Sequence, residues 1–128
     1  MKKSKTLSRI SIKTATADGD LFKILLTTGL KLKKILVEPG LTAYSTDDGT
    51  IIELYGPGSC YPEYLFENSN VVIGFKVEGL TAMILTMQNS GAKLLGNTEM
   101  VCNSLIYCHM QLSNQTVIGL YQDLITRK

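Results

Sequence analysis

The 128 residues contain one histidine, His109, and three cysteines, Cys60, Cys102 and Cys108, without CxxC spacing. That supply suggests neither a zinc knuckle nor a disulfide framework, so the thiols are read as buried or idle. No stretch approaches the about 18 uninterrupted apolar residues of a membrane span, and the basic start Met1-Lys2-Lys3-Ser4-Lys5 lacks the apolar run of a signal peptide. The expectation is a cytoplasmic chain with no membrane partner. Charge is equally sparse. Thirteen basic and 11 acidic residues leave a net +2, too little for a nucleic-acid footprint, and the basic start reads as a solvated terminus. There is no nucleophile elbow, phosphate-cradling glycine loop or paired-carboxylate arrangement. Asp47-Asp48-Gly49 reads as a turn, where acidic side chains bond to backbone.

What is present is an internal duplication, in a chain long enough for one compact domain that buries roughly two-thirds of its unfolded surface. Ile51-Ile52-Glu53-Leu54-Tyr55 matches Val117-Ile118-Gly119-Leu120-Tyr121 at an offset of 66 residues. Gly29-Leu30-Lys31-Leu32 matches Gly91-Ala92-Lys93-Leu94 at 62, and Ile10-Ser11-Ile12-Lys13-Thr14 resembles Ile73-Gly74-Phe75-Lys76-Val77 at 63. Three matches in one order at nearly constant spacing indicate two copies of one unit.

Each copy opens with alternation that suits a half-buried strand, Ile10, Ile12 and Thr14 or Ile73, Phe75 and Val77. In the second copy Leu80, Met83, Ile84 and Met87 follow at helical spacing, ending near Ser90-Gly91, so the methionines are core. In the first, Asp18 can cap a helix whose face is Leu21, Ile24 and Leu25 and which Gly29 can end, with Thr27-Thr28 weakening its last turn. Extended segments then run near Lys31 to Val37 and Lys93 to Val101, from Leu41 to Ser45 and Leu105 to Gln111, and through the matched pentapeptides. The order per copy is βαβββ, with module one at about 7–56 and module two at about 71–125. Gly56-Pro57-Gly58-Ser59 and Pro62 open a linker that runs to Asn70. Its Tyr61, Tyr64, Leu65 and Phe66 are expected to pack against the body or a second subunit.

This order resembles the vicinal-oxygen-chelate superfamily of glyoxalase I, bleomycin-resistance and fosfomycin-resistance proteins and extradiol dioxygenases. The residues that carry the resemblance are the closing run Tyr107 to Tyr121, the first-module turn Thr46-Asp47-Asp48-Gly49-Thr50 leading into Ile51-Ile52-Glu53-Leu54, and the helix entry Val77-Glu78-Gly79-Leu80. The turn Ser113-Asn114-Gln115 departs from it, having neither proline nor glycine, and the usual Phe-Tyr pair of the first helix is absent. The resemblance implies an α+β fold in which two tandem βαβββ modules form a curved mixed sheet around a concave pocket. It also implies a homodimer.

In metal-dependent members the ligands are a His on each first strand and a Glu on each last strand. Those places fall here on Arg9 and Val72, and on Glu53 and Gly119. Glu53 alone is too few ligands, so neither metal nor cofactor is expected. Alternation puts Ile51, Glu53 and Tyr55 on one face and Ile52 and Leu54 on the other, and the resemblance aims the first set into the cup. A carboxylate there needs a partner, and Arg9 can supply it. Tyr55 and Tyr121 would offer ring faces and hydroxyls to a flat ligand. His109, whose repeat counterpart is Ala43, is either a structural histidine or a residue that turns toward Glu53.

The expected ligand-binding set is therefore Arg9, Glu53, Tyr55, His109 and Tyr121, in a metal-independent protein that holds a small organic molecule. The rival is an enzyme of lyase, isomerase or dioxygenase type, with Glu53 as base or metal ligand. A third reading is a protein–protein module whose cup is filled by its own side chains.

Overall fold

In the structure, a computed structural model, residues 8–14, 20–101 and 104–124 are described. Asp18, Cys102 and the basic start lie outside them. The elements run β1 (Ser8–Lys13), α1 (Asp20–Ile24), β2 (Lys33–Glu38), β3 (Leu41–Ser45), β4 (Ile51–Tyr55), β5 (Val71–Lys76), α2 (Leu80–Asn89), β6 (Lys93–Val101), β7 (Leu105–Gln111) and β8 (Val117–Asp123). They form two βαβββ modules in one mixed, open sheet of order β2-β3-β4-β1-β5-β8-β7-β6. Within each module the first and last strands pair in parallel, and β1 joins β5 antiparallel across the middle.

The side chains that alternate away from the cup make two cores, one under each helix. Leu80, Cys108, Met110 and Leu120 lie under α2, with Met83, Ile84 and Met87 packed against them, as the helical spacing requires. The helix stops at Asn89, and the N–H of Gly91 turns back to the Gln88 carbonyl at 3.1 Å. Under the first helical segment lie Ile12, Leu26, Tyr44 and Leu54. Tyr44 and its repeat counterpart Met110 are both fully buried, so the duplication holds down to core positions.

The first helix differs from its expected form. It has one α turn and then a π-helical segment, Leu25–Gly29, closed by the Leu30 N–H on the Leu25 carbonyl at 2.7 Å. Leu21 is 77% exposed and Ile24 58%, while Leu26 is 3%. The face read as Leu21, Ile24 and Leu25 is therefore corrected to Leu26. The Thr27 hydroxyl takes the Lys23 carbonyl at 2.7 Å, competing with the ladder at the step where the winding widens.

The two hairpin turns carry the repeat as backbone geometry. Gly49 has φ of 93° and its counterpart Gln115 has 77°, so the glutamine adopts the left-handed conformation that glycine takes in the first turn. Asp48 accepts the Thr50 N–H at 3.1 Å, and Asn114 accepts the Thr116 N–H at 3.1 Å, the local bonding that favours short polar side chains in turns.

Residues 56–70 form no strand or helix, yet Leu65 and Phe66 are buried. They pack with Val72 and Val117, and with Tyr55, Tyr61, Tyr64 and Leu95, into a third core. The aromatic residues of the linker thus cover the body of the chain itself.

Candidate functional site

Two rows of side chains cross the floor of the cup, set by strand register. One reads Ala43, Glu53, Ser11, Val72 across β3, β4, β1 and β5. The other reads His109, Gly119, Gly74, Arg9 across β7, β8, β5 and β1. Position by position the rows are repeat counterparts, so the duplication has diverged where the cup is lined. Module one kept a carboxylate beside a small residue. Module two has two adjacent glycines, flanked by its own His109 and by Arg9 of module one.

The rows meet through charge. Nη2 of Arg9 lies 2.8 Å from Oε2 of Glu53, with 33% and 13% of the two side chains exposed. Ser11 donates to Oε1 at 2.8 Å, and the Tyr55 hydroxyl lies 3.4 Å from the same oxygen. The ionised carboxylate is thereby bonded on both oxygens, which offsets much of its desolvation. Above Arg9 sits the Tyr121 ring, with its centroid 5.8 Å from the guanidinium carbon. Burial, and then the Glu53 charge, push the Tyr55 phenol well up, so it stays protonated as a donor.

His109 does not turn to Glu53. Its Nδ1 shares a 3.2 Å hydrogen bond with the Tyr64 hydroxyl, and its ring meets those of Tyr64 and Tyr107 edge-on. Burial lowers its pKa, against an opposing pull from Glu53, and this keeps the imidazole neutral near pH 7. A Cβ added to Gly119 would stand 3.3 Å from the Gly74 Cα and 3.5 Å from Cδ2 of His109. The imidazole edge thus stands in ordinary van der Waals contact with the place a side chain at position 119 would begin.

Together these groups surround an open cavity of about 350 Å³ that holds all five expected residues, Arg9, Glu53, Tyr55, His109 and Tyr121. Among the described residues, no side chain fills the cup. Reading from sequence missed Ser11, which alternation from Arg9 and pairing with Glu53 would have revealed. It also missed Tyr107, two residues before His109 on the same strand, whose hydroxyl has no hydrogen-bond partner among the described residues. Tyr61, Tyr64 and Cys60 reach the site from the linker, for which periodicity gives no signal.

The donor set does not fit a metal of the kind the resemblance implies. Glu53 has both oxygens engaged by protein donors, His109 is bonded to Tyr64, and the remaining positions are Arg9, Val72 and Gly119. Among the described residues, no three of His, Cys, Asp and Glu gather. Nor is any helix of the described residues long and apolar enough to cross a membrane.

No protein-family model matches the sequence, and no curated protein does. Solved structures do match the fold. A glyoxalase/bleomycin resistance protein/dioxygenase superfamily member from Vibrio splendidus 12B01 aligns with TM-score 0.67 and 13% identity, over 92% of this chain and 100% of that one. A methylmalonyl-CoA epimerase from Streptomyces coelicolor, in complex with 2-nitronate-propionyl-CoA, aligns with TM-score 0.62 and 13% identity over 98% and 99%. Methylmalonyl-CoA epimerase from Mycobacterium tuberculosis aligns with TM-score 0.60 and 16% identity over 96% and 93%. The fold is that of the vicinal-oxygen-chelate proteins.

Proposed function

We propose that the chain binds a small, flat, neutral organic molecule in this cavity without a metal. The observation that carries the reading is the Arg9–Glu53 bridge at 2.8 Å. It neutralises the two charges of the cup internally, so the site has no net charge to offer an ionic ligand. The adjacent glycines support the flatness of the ligand. A Cβ on Gly74 would meet nothing closer than the Arg9 carbonyl oxygen at 3.6 Å, an ordinary contact, so the floor beside Arg9 is bare backbone on which a ring can lie. Tyr107 has its hydroxyl to spare for a polar substituent. The volume suits a ligand of modest size. The same reading carries the homodimer that the resemblance implies and the cytoplasmic setting expected from the sequence.

A second reading has one observation in its favour: Glu53 faces the cavity in a fold that also hosts epimerases. In that case the carboxylate would take a proton from substrate. It must first release Arg9 or Ser11, whose bonds hold both of its oxygens.

Native mass spectrometry of the purified protein tests both readings. Binding predicts metal-free chains carrying an organic adduct. Gly74→Val, which fills the floor in an ordinary strand conformation, should abolish the adduct while circular dichroism stays unchanged. About one divalent ion per chain, or an adduct indifferent to Gly74→Val, would overturn the reading. Glu53→Gln separates the enzyme: loss of turnover of the identified molecule with binding retained would establish it.

A further inference from the structure

Strand β2 is a sheet edge exposed along all six of its residues, Lys33–Glu38. On its outer side no described strand pairs with it. At its centre Ile35, Leu36 and Val37 are 46%, 37% and 66% exposed. An open edge with an apolar centre templates pairing with another chain. The opposite edge, β6, is blunted. Its ladder to β7 shifts register between Leu95 and Glu99, and Gly96 at φ 66° packs against the Tyr64 ring. In β2 the shift is confined to Ile35, between Lys34 and Leu36.

Set against its own reverse, this edge, Lys-Lys-Ile-Leu-Val-Glu, brings opposite charges together at its ends and apolar residues at its centre. We propose that a second copy of this chain docks here, β2 against β2 about a twofold axis. The antiparallel register sets Lys33 beside the partner's Glu38, Lys34 beside the partner's Val37, and Ile35 beside the partner's Leu36. Twofold symmetry makes each contact twice, so two Lys–Glu pairs close the ends over an apolar middle. Lys33 and Glu38 are both exposed, and neither has an ion-pair partner among the described residues. The bulge at Ile35 puts Lys33, opposite Ser45, and Glu38, opposite Leu41, on one face of the sheet, as a twofold antiparallel joint requires, so both concave faces open on one side of a continuous sheet. Leu36, which lines the cavity, then brings the joint to the edge of both pockets. This surface rests on the dimer half of the proposed function and is independent of its ligand half.

Sedimentation equilibrium of the full chain tests the surface, together with zero-length carbodiimide cross-linking and peptide mass spectrometry. Along one strand Lys33 and Glu38 are about 17 Å apart, beyond a zero-length link, so a Lys33–Glu38 cross-link must join two copies. The expected result is a dimer carrying that link. Lys33→Glu or Glu38→Lys alone should weaken it about tenfold by opposing like charges, and the double swap should restore it. A monomer at every concentration, a dimer without the cross-link, a dimer indifferent to the single swaps, or a double swap that fails to restore it would each overturn the proposal. A monomer that still carries its adduct fails the surface alone, and a β2-paired dimer that binds nothing fails the ligand reading alone.

Discussion

At the scale of residues, the site is a set of polar groups that need one another. Removing Arg9 leaves the Glu53 carboxylate, 13% exposed, with two weaker donors. Breaking a fully buried pair costs about 3–5 kcal/mol, but solvent around the 33% exposed Arg9 side chain reduces that to about 1–2 kcal/mol. Arg9→Met should therefore lower the urea midpoint, and Arg9→Met with Glu53→Leu should regain most of the loss. A double variant as weak as the single would mean that the carboxylate needs no partner. His109 sets a pH dependence. Burial holds its folded pKa below the ordinary imidazole value near 6.5, so the unfolded chain binds its proton first. Its contribution is complete above that value and is lost as pH falls below it. Between about pH 7.5 and pH 5, wild-type protein should lose more stability than His109→Gln, which cannot titrate. Equal losses would show that other groups carry the dependence.

At the scale of elements, the hairpin joining β2 to β3 is held against the linker through Gly40. Its carbonyl accepts the Gly56 N–H at 2.7 Å, its φ is 79°, and an added Cβ would lie 2.5 Å from the Ser59 nitrogen. Gly58 also has positive φ, 93°, but faces open space. Gly58→Ala should cost about 1–2 kcal/mol, the left-handed penalty alone. Gly40→Ala should cost more than that, about 3 kcal/mol or above, because backbone must also move. Equal urea midpoints for the two variants would refute the close packing. Elements of this kind were legible in proportion to their periodicity. Strands β1 and β5 follow from alternation, helix α2 from i, i+3, i+4 spacing and β4 and β8 from the matched pentapeptides, and the repeat order places the extended segments between them. The face of α1 was not legible. Leu21, Ile24, Leu25 and Leu26 are all apolar, and only the widened turn at Thr27 decides that Leu26 is buried. Arg9 and Glu53 could be paired on paper because each is the sole charged residue at its site position. The Tyr64–His109 bond could not, since it joins an aperiodic segment to a strand 45 residues away.

At the scale of the whole molecule, the question is whether two modules behave as one. Each has its own core under its own helix, which alone would allow independent unfolding. Three features oppose this: the β1–β5 ladder, the Tyr121 ring of module two lying over Arg9 of module one, and the third core. In that core Phe66, from the linker, meets Tyr55 of module one, with ring centroids 5.6 Å apart, and packs with Val72 and Val117 of module two. Phe66 is 7% exposed, and truncating such a ring costs about 3–5 kcal/mol, a large share of the about 5–15 kcal/mol that holds a domain together. Phe66→Ala should accordingly lower the urea midpoint of the entire protein. Far-ultraviolet circular dichroism, which reports both halves of the sheet, and tyrosine fluorescence should still give coincident single transitions. Two separated transitions, one unmoved by the substitution, would show that the modules fold separately and that the cavity between them is only as firm as the ladder joining β1 to β5.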